Sequence, residues 1–302
     1  HTGDFSLLRS YSDADGNPAD FSEDNKPYAP KRHLKVSLEG VENGDFTMIM
    51  GYPGSTDRFL SSHGVQQALD LYNPSVVEVR DLKLKTMKYH MDADPAVRIQ
   101  YAAKYAQTAN YWKYYIGQSK GLKALDVYGK KKALEDGFSA WMGSSADRKK
   151  EYGAALGMLK TYYENTNATV KGQVYSLEAG LIGCDLMLFA FRVGMGAQGL
   201  FSEDADRAAA AAASLRGRAE GFFKDYDQET DRDLFVQLMT KYMQDIAPDQ
   251  QPAYFETVRS KYKGDFARYA DKMYPKSFLT DPERFEAFVA DPDQKSLDKD
   301  FA

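Results

Sequence analysis

One cysteine in 302 residues, Cys184, has nothing inside the chain to pair with, so a disulfide framework is excluded. Its apolar helical neighbourhood, Gly183-Cys184-Asp185-Leu186, reads as a packed thiol rather than a nucleophile. Histidine is nearly as scarce. His1, His33, His63 and His90 stand far apart and have no metal-ligand spacing. Long hydrophobic runs are missing as well. The nearest, Leu181 to Met195, is broken by Asp185 and Arg192, short of the roughly 18 apolar residues of a membrane span. Net charge is −5, so no basic footprint argues for nucleic acid. No fixed-period repeat supports a solenoid. The chain opens on His1 without an initiator methionine or a signal-peptide pattern, which leads us to expect a fragment or a trimmed piece.

What is present is an ordinary globular composition, 43% hydrophobic and 27% charged, divided between two styles of patterning. Residues 1 to about 60 read as β. Phe5 to Tyr11, Leu34 to Leu38 and Phe46 to Gly51 are the expected strands. Asp13-Ala14-Asp15-Gly16-Asn17-Pro18 between the first two resembles the start of a calcium loop. It lacks the later ligands and the closing glutamate, so turn chemistry accounts for it. Three strands cannot close a barrel and leave two edges unpaired. Residues 1–60 are therefore expected to be poorly ordered or to pair with another copy.

From residue 61 to residue 302 the periodicity is helical. Helices are expected over Val76 to Asp92, from Pro95 through Tyr101, Tyr105, Trp112 and Ile116, over Lys120 to Glu135, and over Ser145 to Asn165. Gln173 to Gly199 should be the central buried helix, with Leu177, Leu181, Cys184 and Leu188 on its apolar stripe. Ala208 to Ala213 are strong helix formers. Asp231 to Ile246, Pro252 to Lys263, Asp265 to Tyr274 and Pro282 to Ala290 complete the set. The expected class is α+β, mostly α: a large helical domain preceded by a few strands.

Chemistry-bearing motifs are sparse. Gly51-Tyr52-Pro53-Gly54-Ser55-Thr56 lacks the lysine of a phosphate loop, and no Gly-x-Ser-x-Gly elbow occurs. His90-Met91-Asp92-Ala93-Asp94 reads as a solvated helix end. Glu178, Asp185 and Arg192 recur at sevens on the apolar helix, and buried charges need partners, so an ion network is expected there. A carboxylate after a glycine at the mouth of a short apolar run, Gly3-Asp4-Phe5-Ser6-Leu7-Leu8-Arg9, fits both a turn aspartate and the aspartate of a Ser-His-Asp triad. Asn110-Tyr111-Trp112-Lys113-Tyr114-Tyr115 is the densest polar-aromatic cluster. It reads as core packing, or as a pocket wall of Tyr111 and Trp112 with the Asn110 amide aimed at an ammonium group.

Four blocks taken together are more specific than any one of them. Gly3 to Arg9, Asp24-Asn25-Lys26-Pro27-Tyr28, Gly51 to Arg58, and Tyr101-Ala102-Ala103-Lys104-Tyr105-Ala106-Gln107-Thr108-Ala109-Asn110-Tyr111-Trp112-Lys113 follow one another in a familiar order. The chain resembles the bacterial serine dipeptidyl-peptidases of serine peptidase family 46, types seven and eleven. The likeness is strong over residues 1 to about 142 and general beyond.

The resemblance implies a chymotrypsin-type double barrel with a large helical domain inserted between the triad aspartate and serine, capping the cleft. By match, Asp4 is the triad aspartate, and Asn110 accepts a hydrogen bond from the substrate's α-ammonium. Residues 1–60 then belong to an incomplete barrel and 61–302 to the cap. The partners implied are a peptide with a free N-terminus and the remainder of the barrel. A homodimer stays open for the intact enzyme. The resemblance implies no cofactor, no metal and no nucleic acid, and a periplasmic or secreted/cell-surface location in a Gram-negative bacterium.

The family's triad histidine and serine, and the tryptophan and arginine usually just ahead of the aspartate, have no match here. The 302 residues are thus expected to be inactive by themselves. Acidic and hydrophobic preferences before the cut both remain open. A non-enzymatic helical interaction domain with a β arm is the alternative.

Overall fold

The computed structural model describes residues 7–48, 50–51 and 54–300, and the chain divides into two units, His1–Thr56 and Asp57–Ala302. In the first, Asp13 folds the chain back on itself. Its carboxylate accepts from the backbone N–H of Asp15 at 2.9 Å and of Asn17 at 2.8 Å, with Gly16 at φ +85°. This turn brings β1 (Tyr11–Ser12) antiparallel to β2 (Lys26–Pro27), with Tyr11 opposite Pro27.

The described part of this unit has no further strand. The expected strands over 34–38 and 46–51 are corrected: Leu34 to Leu38, Phe46 to Met48 and Met50 are irregular, and Ile49 lies outside the described residues. The alternation at Leu34, Val36 and Leu38 is real, but it specifies a strand only where a neighbour supplies hydrogen bonds and an apolar face. Of the first expected strand, Phe5 and Ser6 lie outside the described residues; among the rest, Tyr11 is paired as strand and the Ser10 carbonyl accepts from Tyr28 N–H at 2.9 Å.

The second unit is helical, and most of its helices start where short acceptors cap them. Ser61 precedes α1 (Ser62–Gln67), which continues through a π turn, Ala68–Tyr72, into α2 (Asn73–Ala93). Asp94 caps α3 (Pro95–Ala124) by accepting from Ala96 N–H at 2.7 Å, with Pro95 in the first turn where its missing N–H costs nothing. The expected helix over Lys120 to Glu135 is interrupted at Leu125–Asp126. Asp126, in the left-handed region at φ 45°, caps α4 (Val127–Gly143). Ser145 caps α5 (Ala146–Tyr152), as the serine suggested.

The next helix, α6 (Ala155–Tyr175), runs ten residues past the expected stop at Asn165. Asn167 and Thr166 are held within it because Gln67 of α1 donates to both, at 2.9 and 3.2 Å. Capping aspartates recur at Asp204, Asp227, Asp265 and Asp281, ahead of α8 (Ala205–Lys224), α9 (Gln228–Asp245), α11 (Phe266–Met273) and α12 (Pro282–Ala290). Each cap contributes on the order of 1 kcal/mol, and together they absorb part of the chain's acidic excess. Between α9 and α11 lies α10 (Tyr254–Tyr262), and α13 (Gln294–Lys299) ends the described chain.

The largest correction concerns Gln173 to Gly199, which is not one helix. A π turn, Ser176–Leu181, and a break at 182–184 separate α6 from α7 (Asp185–Ala197), and the two axes meet at 90°. Gly183 permits the corner, since a Cβ there would lie 2.0 Å from the Ala179 carbonyl oxygen. Buried Asp231 of α9 caps the new helix, accepting from Asp185 N–H at 2.5 Å and Leu186 N–H at 3.3 Å, while Tyr274 donates to it at 2.9 Å. The bend changes the phase of the stripe. Cys184 is buried, but Leu177 is exposed and Leu181 and Leu188 are half-buried; Ala179, Leu186, Phe189 and Val193 face inward instead.

The core joins α2, α3, α7, α9 and the later helices, and a chain of aromatic side chains from α6, α9, α10 and α11 runs through it. Tyr175–Tyr242, Tyr242–Phe255 and Phe255–Phe266 are tilted edge-on, with centroids at 5.7, 5.3 and 4.9 Å, the arrangement ring quadrupoles favour. No single described helix is long and apolar enough to cross a membrane.

Candidate functional site

Two π turns interrupt otherwise regular helices, and both bear on the same stretch of α3. Such turns carry one residue more than the α ladder needs and cluster at functional sites. From the first, Tyr72 meets Tyr115 with centroids 5.7 Å apart, and buried Asn73, the first residue of α2 after it, donates to Gln118 at 2.9 Å and Ser119 at 3.0 Å. From the second, Glu178 accepts from Arg80 Nη2 of α2 at 2.8 Å, and the Arg80 guanidinium lies 5.1 Å from the Tyr111 ring centroid. Residues 111 to 119 are thus fixed from two sides by elements distant in sequence.

The charges behind this face are buried. Arg80 and Glu178 expose 9% and 6% of their surface, so each needs the other to offset desolvation. Arg80 Nε remains buried without a partner. Burial pushes the Tyr115 phenol up, and neighbouring Tyr72 and Glu178 add to the shift. Lys83, one turn along α2 from Arg80, donates to the Ile182 carbonyl at 2.5 Å. Burial lowers its pKa, with Asp185 and Cys184 opposing. This lysine tethers the corner between α6 and α7.

Asn110 lies on the solvent side of α3, and its amide has no hydrogen-bond partner among the described residues. Tyr111 is half-exposed, one face against Arg80. Trp112 is half-buried, packed against the core, with its indole N–H buried and unpartnered. The cluster is therefore divided: Tyr111 remains accessible beside Asn110 while Trp112 turns inward. Asp4 lies outside the described residues.

The remaining sequence candidates resolve into structure. Glu178 and Asp185 do take part in ion pairs, but not with Arg192 of the same stripe, because the corner changes its phase. Glu178 pairs with Arg80, and Asp185 pairs with Lys104 at 2.6 Å. Arg192 is exposed and has no ion-pair partner among the described residues. His90 is not a solvated end: it is buried and its Nε2 lies 3.0 Å from Asp233 Oδ2. Burial raises the Cys184 thiol pKa, in keeping with a packed, inert residue. Among the described residues no group of three or more His, Cys, Asp or Glu could hold a metal ion.

Sequence reasoning missed Arg80 and Asp231. Both partnerships span long separations, Arg80 to Glu178 and Asp231 to Asp185, so no local pattern announces them. Burial and the nearby Asp185 charge push the Asp231 carboxyl up to about 7, against the hydrogen bonds from Tyr274 and the helix N–H groups.

Comparison with known proteins bears on the whole chain. The Peptidase S46 family model matches residues 1–301. Dipeptidyl-peptidase 7 of Porphyromonas endodontalis is 38% identical over 99% of this chain, which spans 36% of that protein. The Asp/Glu-specific dipeptidyl-peptidase of Flavobacterium psychrophilum is 34% identical over the full chain, which spans 42% of it. Among solved structures, Porphyromonas endodontalis DPP11 in complex with dipeptide Arg-Glu superposes with a TM-score of 0.72 at 32% identity, covering 97% of this chain and 42% of that one. The chain therefore spans about two fifths of the length of these relatives.

Proposed function

The chain belongs to the peptidase S46 family, and from that premise we propose that it serves the removal of dipeptides from the amino termini of peptides. Asp4 is the carboxylate that holds a histidine in the productive tautomer and stabilises its imidazolium. That histidine takes the proton of a serine hydroxyl, and backbone amides hold the tetrahedral oxyanion. Neither the histidine nor the serine has a matched position among these 302 residues. A polypeptide of residues 1–302 is accordingly expected to be inactive. Release of dipeptide from a chromogenic dipeptidyl substrate by that polypeptide would overturn this.

The helical unit serves recognition. The observation that carries this reading is Asn110, an unpartnered amide beside the accessible Tyr111 on a stretch of α3 braced by two π turns. Its carbonyl oxygen accepts a hydrogen bond from the substrate's α-ammonium. An internal peptide segment offers an amide there instead of a charged amine, so the site selects chain ends. The helical unit caps the cleft, Tyr111 lines the pocket and Trp112 supports it from behind. Residues 1 to about 60 contribute to the barrel. The substrate is a peptide with a free N-terminus, and the location is periplasmic or secreted/cell-surface. In the full-length protein, Asn110→Ala should lower kcat/KM by about 10- to 150-fold, the equivalent of roughly 1.5–3 kcal/mol for a hydrogen bond to a charge. An unaltered specificity constant retires the assignment.

A further inference from the structure

A helix as long as α3 fixes the direction of Asn110 only if its rotation about its own axis is fixed. At 3.6 residues per turn, a residue's direction changes by about 100° from one position to the next. A clamp on Tyr111 therefore sets the azimuth of Asn110. The structure has such a clamp. Arg80 lies 5.1 Å from the Tyr111 ring centroid, and Glu178 holds Arg80 at 2.8 Å from inside the second π turn.

A buried ion pair is a poor device for stability, because desolvation of two charges offsets their attraction. This pair also leaves Arg80 Nε buried and unpartnered, so it is not optimised for that purpose. What it provides is direction: a planar guanidinium held edgewise by a carboxylate presents a fixed surface for one aromatic ring. Glu178 also cancels the positive charge of Arg80, which would otherwise act one residue away from the place where an ammonium group is to bind.

We propose that Arg80 and Glu178 are positioning residues for recognition of the substrate amine, acting through Tyr111 on Asn110. This rests on the reading of Asn110 given above. The pair touches neither substrate nor reacting atoms, so its loss weakens binding of the free N-terminus and leaves the chemical step in place.

Steady-state kinetics of the full-length protein on a chromogenic dipeptidyl substrate test this. Tyr111→Leu removes the ring from a half-exposed position at little risk to folding, and should raise KM at least fivefold with kcat within twofold. Tyr111→Phe keeps the ring over Arg80 and should recover most of that loss. Arg80→Met/Glu178→Met replaces the pair by apolar side chains without stranding a buried charge. It should raise KM several-fold, and Tyr111→Leu should raise KM by a smaller factor in this background than in the wild type, because part of what the ring supplies has already been cut. Should Tyr111→Leu or the double variant bind substrate as the wild type does, while Asn110→Ala raises KM, the positioning role is wrong and the amine site stands. Should Asn110→Ala leave kcat/KM unmoved, the amine site fails and takes this role with it.

Discussion

The β arm and the helical body use apolar residues in opposite ways. Leu34, Val36 and Leu38 in the arm expose 94%, 85% and 95% of their surface, whereas Phe255, Phe266 and Phe285 in the body expose 2% or less. Both segments carry a clear period, two in the arm and helical in the body. The difference lies in where the hydrogen bonds come from. A helix satisfies its backbone within its own segment, so periodicity and a cap suffice to place it. A strand depends on a neighbour for every ladder bond, and its pattern is only half of an instruction.

The sharpest way to divide the two regions is to ask what each does to catalysis. If the arm supplies the triad carboxylate, Asp4→Asn in the full-length protein should lower kcat by about four orders of magnitude, as in other Ser-His-Asp triads. A loss confined to KM would break the division of labour between arm and body. Stability should divide the same way. Phe255→Ala empties a site in the aromatic core and should cost about 3–5 kcal/mol. Leu38→Ser, at an exposed position, should stay within about 0.5 kcal/mol. Urea unfolding of the two variants checks both, and equal losses would mean the arm is packed against a partner in solution.

A finer test lies within the body, at the corner between α6 and α7. Burial raises the Asp231 carboxyl pKa above its unfolded value, so the folded state holds the proton more tightly. The associated stability is fully present below about pH 4 and is lost as pH rises towards about 7, at no more than about 1.4 kcal/mol per pH unit for one proton. Asp231→Asn removes the titration and keeps an acceptor for the helix N–H groups. The stability difference between wild type and variant should therefore move against the wild type across that window. A flat difference in urea unfolding at several pH values would show that the carboxylate is charged throughout.

Much of the body was legible because its signals are local. Pro95 after Asp94 and Pro282 after Asp281 mark helix starts that the structure reproduces. What failed depended on remote partners. Asn165-Thr166-Asn167 reads as a stop, yet Gln67 supplies the hydrogen bonds that keep it helical. Gln173 to Gly199 reads as one helix because its cap, Asp231, lies on another helix, and the only local hint was Gly183. The site was legible in the same proportion. Asn110 and Tyr111 stand out as a cluster, while Arg80, which braces them, is an unremarkable arginine in an amphipathic helix until Glu178 is folded against it.

The second π turn makes the length of its segment as consequential as its composition. Removing Gly180 would restore an ordinary ladder without deleting any side chain. Every side chain on one side of the deletion would then swing by about 100° relative to the other. Glu178 would leave Arg80, and the corner would carry α7 off in a new heading. In this stretch the chain should tolerate exchanges of side chain far better than a change in the count of residues.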